Sequence, residues 1–102
     1  MIVDLADDAE DVGDAYVTLL VHAGIAAADV ICCARLGEHA SGESHWQARD
    51  LLGQVNKRLA DDLGTLLGVK TKAGYDHRPV SEEDRRRSAR AAARLVEAAR
   101  AV

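Results

Sequence analysis

The sequence predicts an all-α protein, an up-and-down bundle of four helices making a single domain over residues 1–102. Three observations lead there. Apolar residues recur every three or four positions along most of the chain, the period of a helix with one buried face. The apolar fraction is 48%, yet only Trp46, Tyr16 and Tyr75 are aromatic and Phe is absent, so the core material is Ala, Leu and Val. Small side chains suit closely packed helices, whereas a β-sandwich draws on aromatic and β-branched residues. Helix-boundary signals also fall where the periodic stretches end, and 102 residues leave room for one core.

The first helix runs from about Asp8 to Leu36, with Val12, Tyr16, Leu19, Ala23, Ala26, Val30 and Ala34 three or four apart. Acidic residues at its start suit the positive end of the helix dipole, and Gly37 stands where a left-handed cap would close it. Leu20, Ala27 and Ile31 widen the stripe, leaving Thr18, His22 and Asp29 as a thin polar line. A helix this apolar needs cover on most sides, which predicts a homodimer through it, with Ala23, Ala27 and Ile31 at the interface. The neighbouring Gly24, Ala26 and Ala28 would let a second backbone approach closely.

His22, Asp29 and Arg35 interrupt the apolar run, and no charged n-region followed by an apolar h-region opens the chain. The expectation is therefore a cytoplasmic protein with no membrane span. Cys32 and Cys33 are helical neighbours, poorly placed for a normal disulfide, and are expected as buried thiols.

Residues 38–43 have the composition of a loop, and Ser44 with Gln47 forms a capping-box signal for a second helix from His45. Ala48, Leu52, Val55 and Leu59 continue a helical stripe. Gly53 and Asn56 predict a break, Asn56 capping a third helix, in preference to one unbroken helix over 44–74. The third helix turns Leu59, Leu63, Leu66 and Leu67 inward. Three positions beyond Leu67 stands Lys70, which either snorkels past the core or points into a cleft. Gly74 and Tyr75 end this helix, Pro79 blocks its continuation, and Ser81 with Asp84 marks the start of the last. There Ser88, Ala91, Ala92, Leu95, Ala98 and Val102 read as the inner face. Arg87, Arg90 and Arg94 line the other side, with Glu83 and Glu97 in reach for helical ion pairs.

The net charge of −4 argues against a generic polyanion binder. The charge is unevenly placed: Asp4, Asp7, Asp8, Glu10, Asp11 and Asp14 open the chain without a base, while six arginines lie between Arg85 and Arg100. The two ends either bind different partners or face each other within the fold or between subunits.

No metal or cofactor is expected. His22, His39, His45 and His77 lack the spacing of a paired metal site, there is no Gly-rich phosphate loop, and no G-x-S-x-G elbow exists. A helix-turn-helix reader would need a last helix less uniform in Ala and Arg. What remains is Lys70, Lys72, Tyr75, His77 and Arg78 at one helix end. A neutral histidine among cations accepts a proton while the cations hold a phosphate, the parts needed for metal-free RNA cleavage by a 2′-hydroxyl. The same residues also make an ordinary exposed turn.

The stretches AYVTLLVHAGIAAADVICCARLGEH, HWQARDLL and LLGVKTKAGYDHRPVSEEDRRRSARAAARLVEAA together resemble a small stand-alone HEPN-domain protein of actinobacterial type, over nearly the whole chain. The resemblance implies a four- or five-helix bundle, commonly dimeric. Many members of that superfamily are metal-independent ribonucleases of toxin–antitoxin and other defence systems. Their motif is Arg, four to six residues, then His, with two copies meeting across the dimer. His77 matches the histidine. The basic position holds Lys72 or Lys70, and no Arg stands at either spacing. Lysine offers a point charge where arginine grips phosphate with a planar fork.

Two functions follow. One is a non-catalytic dimeric module for RNA, nucleotide or protein binding, partnered by a nucleotidyltransferase or an antitoxin, with Arg78, Arg87, Arg90 and Arg94 available to phosphate or RNA. The other is a metal-independent endoribonuclease using His77 and Lys70 or Lys72, assisted by Tyr75. The missing arginine favours the first.

Overall fold

A computed structural model describes residues 8–40, 45–75 and 80–102, and the side chains of 15–40, 45–72 and 80–102. All regular structure among them is helical: α1 (Asp8–Leu36), α2 (His45–Gly53), α3 (Lys57–Tyr75) and α4 (Glu82–Arg100).

Local chemistry sets the boundaries. Gly37 takes φ 75°, the left-handed conformation glycine adopts without penalty, and its N–H donates to the Cys33 carbonyl at 3.0 Å. The predicted break after α2 is present. Val55 and Asn56 N–H groups both donate to the Leu52 carbonyl, and Asn56 Oδ1 accepts from Leu59 N–H at 3.1 Å, capping α3. Ser81 caps α4 from extended backbone, its Oγ accepting from Asp84 N–H at 3.0 Å, and Glu82, Glu83 and Asp84 occupy the positive end of the dipole. The Ser44 cap and the Pro79 stop lie outside the described residues.

The helices do not alternate strictly. Gly53 lies beside Ala60 and Arg49 beside Gly64, so α2 and α3 run antiparallel. Lys72 meets Asp84 and Asp62 meets Arg94, so α3 and α4 do too. Gly24 of α1 sits against Leu66, while Ile31 and Arg35 share a cavity with Asn56, Leu59, Ala98 and Ala101. That makes α1 antiparallel to α3, and hence parallel to both α2 and α4. The up-and-down expectation fails at the first connection. With only nine residues, α2 is about 14 Å long, less than half the length of α1.

The core is built from Val17, Val21, Ala28, Ile31 and Cys32 of α1, Ala48 and Leu52 of α2, Leu63, Leu66 and Val69 of α3, and Ala91, Ala92 and Leu95 of α4. Gly24 lets α3 and α4 close on α1, because a Cβ there would overlap the Leu66 side chain and crowd that of Leu95.

The inward face of α1 is therefore offset from the stripe expected for it. Ala27 and Ile31, expected at a dimer interface, are buried within the single chain, whereas Ala23 is exposed. Tyr16, Leu19 and Val30 of the expected core stripe are 47%, 67% and 49% exposed. Both faces are apolar, and the glycine-centred one was taken by α3 and α4. By length and composition alone, the stretch Ala15–Leu36 would also cross a bilayer. Lys70 is exposed, since Val69 takes the buried position after Leu66. At the end of α4, Val102 is exposed rather than inward.

Candidate functional site

Charged residues from three helices meet in a cleft of about 530 Å³ between α2, α3 and the start of α4. From α3 come Gly64 and Gly68, one turn apart, forming a strip without side chains, flanked by Asp61, Thr65, Val69 and Lys72. Trp46 and Arg49 approach from α2, Asp84 and Arg87 from α4.

Asp84 organises the α4 side. The Ser81 cap fixes its backbone, and its largely buried carboxylate accepts from Lys72 Nζ at 3.3 Å and Arg87 Nη1 at 3.4 Å. Both contacts are long for charge-assisted hydrogen bonds, and the two cations keep more than half of their side-chain surface open. On the opposite wall the Arg49 guanidinium lies 5.9 Å from the centre of the Trp46 ring, within range of a cation–π contact. Its other side rests on α3 at Gly64, where a Cβ would stand 2.7 Å from Arg49 Nε. Arg49 Nε is buried without a hydrogen-bond partner among the described residues, and Nη2 stands 3.7 Å from Asp61 Oδ1. The cleft thus holds three cations against two carboxylates, beside an indole and a turn of helix left bare at Gly68.

Of the residues expected from the sequence, Lys72 and Arg87 come together here, joined through Asp84. Lys70 and Arg90 are exposed and line no part of this cleft. His77 and Arg78, and the side chain of Tyr75, lie outside the described residues. Arg94 belongs elsewhere: its Nε donates to Asp62 Oδ2 at 2.9 Å and its Nη2 to Asp62 Oδ1 at 2.7 Å, a bidentate clamp between α3 and α4. That carboxylate pushes the Arg94 pKa up, first through the hydrogen bonds and then through charge. Among the described residues no group of three or more His, Cys, Asp and Glu converges as metal ligands.

Sequence reasoning missed Trp46, Arg49 and Asp61. The available signal was Gly64 and Gly68 four apart in a helix interior, where each glycine costs about 1 kcal/mol against alanine and so marks a place where something approaches closely.

No family model, curated protein or solved structure matches the chain. What fold and cleft define is a class, the small all-α helical bundle with a charged inter-helix groove.

Proposed function

We propose that the protein is a non-catalytic binding module of HEPN-like type that acts as a homodimer through α1 and docks a protein partner. One observation carries this reading. Tyr16, Leu19, Ala23, Ala26, Val30 and Cys33 are all exposed, and their spacing of three and four residues repeats the a and d positions of a coiled-coil seam. The seam extends about 26 Å along α1 at 1.5 Å per residue, with alanines at its middle that permit close backbone approach. Large apolar side chains so arranged mark an association surface. A second copy fits it, because an antiparallel pairing brings the acidic start of one α1 to the end of the other, where Arg35, Lys57 and Arg58 are exposed. With Lys72 drawn to Asp84, and no arginine at the motif spacing, binding is favoured over phosphate chemistry.

Sedimentation equilibrium at micromolar concentration tests the reading. Wild type should sediment as a dimer, and Leu19→Asp as a monomer of unchanged helicity, its dissociation constant raised at least tenfold by a charge placed on the seam. A monomeric wild type would overturn the proposal. EDTA-resistant cleavage of labelled RNA, lost in His77→Ala, would replace it with the ribonuclease reading.

A further inference from the structure

From the cleft between α2, α3 and α4 we infer a second site, one that takes a monovalent carboxylate carrying a flat apolar group. It shares no residue with the α1 seam and does not depend on the oligomeric state.

The charge balance selects the anion. Arg49, Lys72 and Arg87 face Asp61 and Asp84, leaving a surplus of one positive charge. A single carboxylate satisfies that surplus. A dianion would be pressed against two fixed carboxylates, and a long polyanion would also meet the net charge of −4 over the whole chain. Arg49 is the centre of recognition. Its guanidinium is held between the Trp46 ring and the α3 backbone, so its orientation is set before a ligand arrives, and its ion pair with Asp61 is long, at 3.7 Å. A guanidinium presents a planar donor fork that a carboxylate meets with two parallel hydrogen bonds. Lys72 and Arg87 keep exposed donors on the facing wall.

The flat group is read by shape. A Cβ built on Gly68 meets nothing within 4 Å, so the space above this turn of α3 is open, and Trp46 forms an apolar rim beside it. Gly64 is covered by Arg49, so the open part of the strip is at Gly68, kept bare at a cost in helix stability. A planar body lying along it covers apolar surface and stacks against the indole at the same time.

Trp46 is the only tryptophan in the chain, so its emission reports occupancy of the site directly. The probes are benzoate, its neutral isostere benzamide, and phenyl phosphate at pH 7.5, with a short peptide bearing Glu next to Phe to separate a free acid from an acidic peptide as the natural source. Benzoate is expected to quench Trp46 saturably and to bind at least tenfold tighter than benzamide or phenyl phosphate. Arg49→Gln should weaken benzoate about tenfold, with Arg49→Lys recovering part of that. Gly68→Leu places a side chain in the slot without a clash at its Cβ and should abolish binding while thermal stability is kept or raised. A peptide tenfold tighter than benzoate would assign the site to an acidic partner segment, and the reverse order to a free acid. Equal binding of benzoate and benzamide, tighter binding of phenyl phosphate, or unchanged binding by Gly68→Leu would each overturn the inference.

Discussion

The Asp62–Arg94 clamp gives the most direct test of how this bundle is held together. Arg94→Ala removes both hydrogen bonds, at 2.9 and 2.7 Å, and leaves a carboxylate whose side chain is only 12% exposed. Exposed ion pairs contribute about 0.2–1 kcal/mol, and breaking a fully buried pair costs about 3–5 kcal/mol. This pair lies between those limits, since the Arg94 side chain is 54% exposed while Asp62 is nearly covered. The expected loss is therefore about 2 kcal/mol, equivalent to a fall in Tm of about 10 °C for a domain of this size. Urea unfolding followed by helical circular dichroism measures it, and the double variant Asp62→Leu/Arg94→Leu supplies the control. Apolar replacement of both partners strands no charge and should return stability to within about 1 kcal/mol of wild type. Arg94→Ala within 0.5 kcal/mol of wild type, on the order of an ordinary surface substitution, would refute the reasoning, as would a double variant no more stable than the single one.

Gly24→Ala should destabilise by about 1–3 kcal/mol, because the new methyl overlaps Leu66 and crowds Leu95, outweighing the better helix propensity of alanine; a higher urea midpoint would show that the two leucines can repack. Ser88 is fully buried and its hydroxyl has no hydrogen-bond partner among the described residues, so Ser88→Ala should gain about 1 kcal/mol in the same assay, and an equal loss would mean that the hydroxyl is satisfied. Burial, followed by the charges of Asp29, Cys33 and Glu38, pushes the Cys32 thiol above its ordinary value of 9.0, while Cys33 is exposed. In the monomeric Leu19→Asp variant, whose seam is open, iodoacetamide at pH 8 should therefore alkylate Cys33 and spare Cys32, which peptide mass mapping resolves. The same shift means that the unfolded chain releases the Cys32 proton first as pH rises through 9.0, so this group's contribution to stability falls above that pH; a contribution that grew there would contradict the burial.

What could be read from the sequence was what depends on neighbours in the chain. Asn56, Gly37 and Ser81 each act on backbone groups within four residues, so the ends of α1, α3 and α4 followed from side-chain chemistry alone. The inward face of α1 did not. Two stripes offset by about one residue, Tyr16–Leu19–Ala23 and Val17–Val21–Gly24, are both apolar at helical period, and only the close approach of Leu66 and Leu95 to Gly24 decides between them. Lys70 misled for a related reason, since counting on from Leu67 passes over Val69, which completes the core in its place. The cleft was illegible because its parts come from three helices, and nothing local to Arg49 tells that Gly64 will lie beneath it. The direction of α2 escaped because no residue within its nine positions encodes which way it lies against α1; its contacts with α3 decide that.

Asp84 has two duties that the chain cannot separate. Its backbone N–H closes the Ser81 cap, and its carboxylate restrains Lys72 and Arg87 at the rim of the cleft. The first turn of α4 is thus a point where folding and electrostatics share one residue. Fraying there removes a negative charge from the cleft as it frees two positive ones, so an anion seated in the cleft and a well-formed α4 oppose each other. Anything that grips residues 80–84 would tighten the helix and reset the field of the groove in a single step.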